Sequence, residues 1–397
     1  YDEMSIEEVV VLGSLKVFED VSGQHMIFRL VKSMESLPCT IRVPSRKEEK
    51  SAEPFFKHNG LFSEFTKGKS ELFKNGKIDL EQSNEELLGI FERGTPLEHF
   101  GQIRQGIAEN PSTIGRKVNQ KHKNQWKVGE GVFTLTPAEL KALRLSASES
   151  AICHAYHDLC DIGRFWAAKV PSRFLIYSTK ETCKKIGDFP NLKEHLGRFK
   201  ILMQQRRETK NESNEWWHLH WPRDQNVWEA KKKILSVQMG RRPTFASIIG
   251  TCYVPFSVNV FVPNEPCPMA IEYFEGILNS TVLWKWFQHH AKKRGVGLEI
   301  NGNVLRRTPI PLLDLSKKTD KTLHDSLVKV VTKLRKKVDA LRSEGRGPEE
   351  IEASISDLSK EADLIVCEIY GIGKPLREAL LNSLEDSVAP PAHKRAA

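Results

Sequence analysis

The chain has 397 residues, 39% hydrophobic and 28% charged, which suits two or three soluble domains with buried cores. No apolar run approaches the roughly 18 residues of a membrane-spanning helix, and the first residues lack the basic and apolar parts of a signal peptide. These features argue against a membrane partner and predict a cytoplasmic protein. The net charge of +9 favours polyanionic partners, because Lys and Arg that neutralise phosphates release condensed counterions.

Two strand-like runs, at residues 9–12 and 25–31, predict a hairpin near the start of the chain. A two-stranded hairpin is marginal alone, so we expect it at the edge of a larger sheet whose remainder precedes Tyr1. We therefore expect the chain to be either a fragment or a subunit separate from its catalytic partner. Residues 36–96 are largely polar and lysine-rich, and we interpret them as a linking region with little core of its own.

From residue 97 onwards the composition is mixed. Strand-like runs occur at residues 131–135, 173–177, 233–237 and 257–262, and amphipathic helical stretches at residues 192–206 and 273–290. This order does not alternate strictly between strand and helix. It therefore predicts an α+β fold.

Near the end of the chain, residues 323–341 carry apolar side chains at three- or four-residue steps, which predicts a long amphipathic helix. Gly and Pro within residues 343–348 break that helix, and residues 351–369 start a second one in the same way. The sequence thus predicts a helical hairpin over residues 313–385, followed by a disordered tail over residues 386–397.

Residues 153–160 contain two of the seven cysteines and two histidines, which raises the hypothesis of a zinc site. Their spacing fits none of the usual zinc-finger patterns, which separate two ligand pairs by about a dozen residues. Structural cysteines and ordinary histidines are the favoured interpretation, so we predict no metal ligand. An enzyme with an unusual metal site is the minority hypothesis.

Methyl transfer from S-adenosylmethionine to an exocyclic amine needs a glycine-rich turn after a strand and an Asn/Asp/Ser-Pro-Pro-aromatic tetrapeptide. The sole double proline, Pro390-Pro391, is flanked by alanines, and the four Gly-x-Gly pairs stand outside any clear strand-to-helix junction. The sequence also contains no P-loop, Gly-x-Ser-x-Gly or His-Glu-x-x-His motif. We therefore predict no catalytic residue and no cofactor in this chain.

Residues 204–223 combine three tryptophans, two histidines and three arginines. Aromatic rings pack on bases and sugars, and Arg pairs bidentately with guanine or phosphate, so this composition suits nucleic-acid binding. In the alternative interpretation, Trp216 and Trp217 are half-buried core aromatics and the arginines form a solvated helix end. Composition alone leaves both interpretations open.

Five blocks occur in a fixed order at residues 100–107, 173–177 with 189–196, 216–224, 273–280, and 297–300 with 308–311. Through them the chain resembles the C-terminal specificity domain of TaqI-type adenine DNA methyltransferases, including type IIG restriction-modification enzymes. Residues 17–28 further resemble the last strands of that family's methyltransferase domain. The family's cofactor and amine-binding motifs precede this stretch and are absent here, so the resemblance does not bring methylation activity to this chain.

With the resemblance, five parts are expected: final methyltransferase strands (1–35), a linker (36–96), a mixed-strand DNA target-recognition domain (97–312), the helical hairpin (313–385) and the tail (386–397). The resemblance implies double-stranded DNA and a methyltransferase catalytic domain or subunit as partners. It implies S-adenosylmethionine as a cofactor of the parent enzyme alone. The chain by itself is predicted to be inactive.

The DNA-contacting candidates fall into three groups. The expected phosphate contacts are Arg206, Arg207, Arg241, Arg242, Lys292, Lys293 and Arg294. Because Arg suits guanine and Asn and Gln suit adenine, the expected base readers are Arg104, Gln105, Asn301 and Asn303. The aromatic-Pro-Arg block adds Trp216, Trp217, His218 and Arg223. For each basic residue the alternative is an ordinary solvated surface charge.

Sequence-specific recognition of double-stranded DNA, as the specificity part of an adenine-specific methyltransferase in a restriction-modification system, is the favoured function. The alternative is a protein-interaction scaffold whose helical hairpin docks a methyltransferase or nuclease subunit. In that case the basic charge is incidental.

Overall fold

The computed structural model describes residues 4–13, 15, 17, 25–32, 37–44, 62–74, 77–78, 80, 85–294 and 297–385. The tail predicted at residues 386–397 lies outside the described residues, as does the turn expected between the first two strands. Within the ranges described, no helix is both long enough and apolar enough to cross a membrane.

The strands of these ranges are β1 (Met4–Gly13), β2 (His25–Lys32), β3 (Cys39–Pro44), β4 (Phe62–Lys67), β5 (Phe73–Lys74), β6 (Lys77–Ile78), β7 (Thr95–Pro96), β8 (Gly101–Gln105), β9 (Thr134–Leu135), β10 (Cys153–Tyr156), β11 (Ile162–Gly163), β12 (Trp166–Ala167), β13 (Arg173–Ile176), β14 (Lys232–Val237), β15 (Met239–Gly240), β16 (Phe245–Ile249), β17 (Val258–Pro263), β18 (Lys292–Arg294), β19 (Gly297–Glu299) and β20 (Pro309–Ile310).

The helices are α1 (Lys69–Leu72), α2 (Glu85–Glu92), α3 (Arg116–Lys121), α4 (Pro137–Ala142), α5 (Ala147–Ser150), α6 (Pro190–Gly197), α7 (Lys200–Met203), α8 (Arg207–Lys210), α9 (Gln225–Glu229), α10 (Ile271–Leu278), α11 (Thr281–His290), α12 (Gly302–Arg306), α13 (Lys318–Ser343), α14 (Pro348–Ser354), α15 (Ser356–Ile369) and α16 (Lys374–Glu385). Short 3-10 turns lie at Leu97–His99, Leu159–Asp161 and Ile186–Asp188. The predicted α+β class is thus confirmed.

The first sheet has the strand order β2-β1-β3-β4. β1 and β2 form the predicted antiparallel hairpin, with Val9 opposite Phe28, while β3 runs parallel to β1, with Val9 opposite Ile41. Val9 and Ile41 are buried in a small core of their own. The linking region expected at residues 36–96 is therefore not what the structure shows. Strands β3 and β4 complete this sheet, and α2 packs into a larger core that it shares with the C-terminal helices.

A second, fully antiparallel sheet, β16-β14-β17-β8, is the central element of the fold. Successive side chains of a strand point to opposite faces of a sheet. Ile234 and Phe261 accordingly face a core shared with the C-terminal helices, whereas Leu235 and Val260 face a second core that includes β9, β10 and β13. Both faces of this central sheet are buried, so its ends and edges are the parts that reach the surface.

The second core is rich in aromatic side chains, with Trp228, Tyr253 and Phe133 fully buried. Lys233 of β14 is fully buried as well, and its Nζ donates to the carbonyls of Trp228 and Gly250, both at 2.7 Å. Burial lowers the pKa of Lys233 to about 8. These two bonds satisfy the buried amine and hold the segment before β14 and the segment after β16 against the strand.

Strand β16 is an edge of the central sheet, and side chains of α10 and its C-cap cover that edge. Asn279 accepts a hydrogen bond from the Phe245 amide (3.1 Å) and donates one to the Phe245 carbonyl (2.9 Å). One turn earlier in the helix, the Glu275 carboxylate accepts from the amide (3.0 Å) and the hydroxyl (2.7 Å) of Ser247. Glu275 and Asn279, four residues apart along the helix, thus form the hydrogen bonds that a neighbouring strand would otherwise form with alternate residues of β16.

The C-terminal helices complete the helical side of the central sheet. Leu327, Val331 and Leu334 of α13 are fully buried and belong to the same core as residues of α10 and α15. The helix predicted at residues 323–341 is confirmed as part of α13, whereas the one predicted at residues 351–369 divides at Ile355 into α14 and α15, and α16 follows as a further helix. Asp363 of α15 links it to α11, since its carboxylate accepts the Thr281 amide hydrogen bond at 2.8 Å.

Both helical stretches predicted further upstream are interrupted. Residues 273–290 divide into α10 and α11, because Asn279 bonds to β16 and the Ser280 hydroxyl accepts from the Leu283 amide (3.2 Å) to cap a new helix. Residues 192–206 lie over α6 and α7, two shorter helices separated by a turn. Local periodicity predicts the helical faces correctly but does not show these breaks.

Replacing Asn279 with alanine should lower the free energy of unfolding by about 1–3 kcal/mol, because it leaves the Phe245 amide without a partner at a buried edge, while the Phe245 carbonyl keeps its bond from the Phe165 amide. Urea unfolding followed by circular dichroism measures this change. The matched control is Asn303→Ala, whose side chain is exposed and whose loss should change the free energy of unfolding by under about 0.5 kcal/mol. An equal, small effect of both substitutions would contradict the edge-capping role.

Candidate nucleic-acid interface

One end of the central sheet, where β8 ends and β17 begins, collects several of the candidate residues. Gln105 is the last residue of β8, and its Nε2 donates to the Phe256 carbonyl at 3.2 Å. A Cβ on the next residue, Gly106, would lie 1.9 Å from the Pro255 carbonyl oxygen. Glycine is therefore required there for β8 to approach the loop that precedes β17.

The turn formed by residues 221–224 lies against this end of the sheet and is fixed by its backbone. Trp221 exchanges two backbone hydrogen bonds with Ala108, at 2.9 and 3.1 Å. The hydroxyl of Tyr177 donates to the Arg223 carbonyl at 3.2 Å. Arg223 has a φ of 63°, a left-handed conformation that is uncommon for a residue other than glycine. The turn is thus held in a strained conformation by contacts with distant parts of the chain.

Trp221 has the most exposed ring of the aromatic block, with half of its surface (50%) accessible. The His220 ring stacks on it at a centroid distance of 4.6 Å, and the Arg223 guanidinium lies 5.1 Å from its ring centre. His220 in turn bonds through Nδ1 to the Glu208 carboxylate. Trp221 is therefore an immobilised aromatic side chain at the surface, and it was not among the residues singled out from the sequence.

Arg104 and Asp224 flank Gln105 and Arg223. The Arg104 side chain is 43% exposed, and its Nε lies 3.7 Å from the Asp224 carboxylate. Arg104 also donates from Nη1 to the Ile103 carbonyl at 3.2 Å. This exposed ion pair contributes little to stability. It does place one carboxylate among the arginines of this end of the sheet.

Helix α12 begins beside the same part of β8. Arg306 donates to the Ile103 carbonyl at 3.5 Å and to the Asn303 side-chain oxygen at 2.8 Å. Asn301 caps the helix, because its side-chain oxygen accepts from the amides of Asn303 and Val304 at 3.0 and 3.1 Å. The side-chain acceptors of Asn301 and Asn303 are thus both engaged within the protein, and the Asn303 side chain is exposed.

We call this end of the central sheet the recognition surface, formed by Arg104, Gln105, Trp221, Arg223, Asn303 and Arg306. Among these side chains and the neighbouring Asp224, three arginines stand against one carboxylate, so the group as a whole carries net positive charge. Its polar groups are held on a strand end, an anchored turn and a helix start, which are rigid supports.

The basic residues 292–294 lie on a small sheet that adjoins the recognition surface. This sheet has the order β15-β19-β18, and Arg294 forms an ion pair with Glu299 at 2.7 Å. It connects to the central sheet through Gln238, whose carbonyl accepts from the Ile300 amide at 2.7 Å and whose side chain donates to the Phe256 carbonyl at 2.9 Å. The predicted phosphate-contacting residues Lys292, Lys293 and Arg294 are all exposed there.

The predicted phosphate contact Arg206 has a different place in the structure. It is 6% exposed, and burial lowers its pKa to about 10. All five of its N–H groups have carbonyl acceptors, namely those of Met203, Asn110, His218, Glu215 and Trp216. Arg206 is therefore a clamp for the backbone at residues 215–218, with no N–H left for a phosphate.

The predicted stacking residues Trp216, Trp217 and His218 are also engaged within the protein. Trp217 and His218 each donate a ring N–H to the Cys183 carbonyl, at 3.0 Å in both cases. Trp216 and Trp217 pack against the second core as half-buried side chains, and His218 is buried. Burial lowers the pKa of His218. For these three residues the geometry matches the core-aromatic interpretation.

Of the two predicted phosphate contacts that precede β16, one is exposed and one is enclosed. Arg241 is exposed. Arg242 has its guanidinium 5.3 Å from the Trp284 ring centre and 3.7 Å from the Glu352 carboxylate, and burial lowers its pKa to about 10. Arg242 thus joins the central sheet to α11 and α14. Arg207, the other remaining candidate, is exposed at the start of α8.

The side chains of residues 153–160 contact separate parts of the second core. His154 stacks on Tyr253 at a centroid distance of 4.5 Å. His157 bonds through Nδ1 to Cys252 at 3.3 Å and through Nε2 to a backbone carbonyl at 2.8 Å. Across the described parts of the chain, no three His, Cys, Asp or Glu side chains are grouped in a way that could hold a metal ion.

Behind the turn, the Glu109 carboxyl group is buried. Burial raises its pKa to about 7, although the Tyr156 hydroxyl donates a hydrogen bond to it. The Glu109 carbonyl accepts from the His220 amide at 3.4 Å. Glu109 therefore supports the backbone of the aromatic block from inside and does not reach the recognition surface.

No protein-family model matches the chain, and no curated protein matches its sequence. Among solved structures, it is similar to the type IIL restriction-modification enzyme MmeI in complex with DNA, with a TM-score of 0.57 and 10% identity over 97% of this chain and 46% of that chain. A second match is the type IIG restriction endonuclease BpuSI, with a TM-score of 0.39 and 11% identity over 94% of this chain and 44% of that chain.

This chain thus spans less than half of either enzyme's chain. The similarity to MmeI is one of fold, because the sequence identity is low. It shows that this chain shares its fold with part of that enzyme.

Replacing Arg206 with alanine should lower the free energy of unfolding by about 3 kcal/mol or more, since it leaves five carbonyl groups without this donor. The neighbouring Arg207→Ala removes an exposed arginine and should change it by under about 0.5 kcal/mol. Urea titrations of the two variants give the comparison. Equal stability of the Arg206 variant and the unmodified chain would show that the clamp is not needed.

Proposed function

We propose that this chain recognises a specific sequence of double-stranded DNA as the specificity part of an adenine-specific methyltransferase in a restriction-modification system. The observation that carries the proposal is the recognition surface, where residues distant in sequence converge at one end of the central sheet. Arg is the side chain that most commonly pairs bidentately with a base edge, that of guanine, in the major groove. The adjoining residues 292–294 supply charges of the kind that contact phosphates.

The fold similarity supports the same partner. The structure of MmeI to which this chain is similar is a complex with DNA. The sequence blocks that resemble a TaqI-type specificity domain include the turn at residues 221–224 and the strand end at Gln105. These are the segments that the recognition surface brings together. The two lines of support are independent, because one rests on sequence order and the other on the fold.

A methyltransferase catalytic domain or subunit is the second proposed partner, and β2 supports it. This edge strand exposes 42–52% of the surface of Met26, Phe28 and Leu30, which share one face, and of Ile27 on the other face. A contiguous group of exposed apolar side chains such as Met26, Phe28 and Leu30 is typical of a surface that another protein part covers. We propose that the catalytic part covers β2 and holds S-adenosylmethionine, so that this chain supplies neither cofactor nor catalysis.

The scaffold alternative requires the helical hairpin to present an apolar surface to a partner subunit, and the apolar positions of the hairpin are largely used within the protein. The apolar positions of α13, including Leu327, Val331 and Leu334, are used within the protein against α10 and α15. The side of α13 that faces solvent carries Lys329, Lys333 and other polar residues. The hairpin therefore buries its apolar stripe internally, and DNA recognition is the function that the geometry supports best.

The proposal is tested by selecting duplexes from a randomised library with the full chain and measuring equilibrium binding by fluorescence anisotropy. A selected duplex should bind about a thousandfold or more tightly than a scrambled one at about 0.15 M salt. Arg104→Gln should weaken binding to the selected duplex by roughly 5- to 150-fold, as loss of a base contact does.

The control variant is Lys336→Gln, which removes an exposed charge of α13 outside the recognition surface. It should change the affinity by less than about twofold, because it removes only a small part of the non-specific attraction to DNA. Equally weak binding to every duplex by the unmodified chain, lost at physiological salt, would refute sequence-specific recognition by this chain.

A further inference from the structure

The Arg223 guanidinium is only partly used within the protein. Its Nε donates to the Gly106 carbonyl at 3.2 Å, and its Nη2 donates to the Gln105 side-chain oxygen at 3.3 Å. A guanidinium has five N–H groups, so these two bonds leave both hydrogens of Nη1 and one of Nη2. The remaining donors sit on the two terminal nitrogens, which together form a planar fork.

Three constraints fix the direction of this fork. The Trp221 ring lies 5.1 Å from the guanidinium carbon, within the range of a cation–π contact. The backbone of Arg223 is left-handed, with φ of 63°, and its carbonyl accepts from Tyr177 at 3.2 Å. A strained backbone persists where the surroundings determine it, and such positions cluster at functional sites. Arg223 is thus preorganised before any ligand binds.

We infer that Arg223 reads one guanine of the recognised sequence, donating from Nη1 and Nη2 to the guanine O6 and N7 in the major groove. Trp221 and Gln105 are positioning residues for it, because they hold the plane and the direction of the guanidinium. The inference rests on the proposed function and deepens it. It assigns one base of the recognised sequence to one side chain.

A base contact suits Arg223 better than a phosphate contact. Arg223 is half-buried, and the exposed carboxylate of Asp224 follows it directly in the chain. A carboxylate beside the fork repels a phosphate group, whereas it can accept a hydrogen bond from the cytosine amine of the same base pair. The exposed residues 292–294 on the adjoining sheet fit phosphate contacts better.

The experiment repeats the duplex selection with Arg223→Gln and Arg223→Lys of the full chain. Arg223→Gln should lose the guanine preference at one position, or shift it towards adenine, and keep the other positions. Arg223→Lys keeps the charge but not the fork, so the same position should lose preference. Each variant should bind the original selected duplex roughly 5- to 150-fold more weakly.

The Trp221→Ala variant shows whether Trp221 positions the Arg223 guanidinium or supports the structure in general. Loss of positioning should weaken the preference at the Arg223 position alone, and Trp221→Phe should restore it. Loss of structure would weaken all positions together, and thermal denaturation monitors that change. The matched control is Arg346→Gln, an exposed arginine between α13 and α14 that should leave the base preferences unchanged.

The outcomes distinguish this inference from the proposed function. A selection in which the unmodified chain enriches no sequence refutes the proposed function. If the unmodified chain enriches a sequence and both Arg223 variants enrich the same one, the guanine assignment is wrong while the proposed function stands. A uniform loss of affinity for every duplex, without a change at any position, would make Arg223 a phosphate contact and would also overturn the inference.

Discussion

The burial of both faces of the central sheet is the constraint on which the rest of the structure depends. Side chains of β14 and β17 alternate between two cores, and helix α10 covers the β16 edge through Glu275 and Asn279. Neither face is left for a ligand. Recognition must therefore use the loops at one end of the sheet, as is common where a rigid scaffold presents variable loops. Arg104, Gln105 and the turn at residues 221–224 occupy that end.

Much of the fold follows from local patterns. Runs of β-branched and aliphatic residues predict β14 and β17 within one residue of their ends, and apolar spacing predicts α13. The hairpin of β1 and β2 is predicted for the same reason. By contrast, β3 and β4 join that sheet through pairings with residues far along the chain, so their polar sequence between 36 and 96 resembles a linker. The run at 131–135 is similarly reduced to a two-residue strand.

The recognition surface is harder to predict, because exposure depends on tertiary contacts. Gln105 and Arg223, which bond to each other, are 118 positions apart in the chain. In the aromatic block, Trp217 donates a hydrogen bond to the Cys183 carbonyl, while Trp221 remains half exposed. No local sequence pattern distinguishes these two tryptophans. Positive charge is equally ambiguous from sequence. Arg206 resembles a phosphate contact by type, yet burial and five internal hydrogen bonds make it a structural clamp.

The central claim, that one end of the central sheet faces DNA, is tested most directly by a crystal structure of the chain bound to a selected duplex. The account predicts that the end of β8 and the turn at residues 221–224 enter the major groove, with Arg223 on a guanine edge and residues 292–294 near phosphates. A complex in which the duplex lies along α13, or touches the recognition surface through phosphates alone, would contradict it.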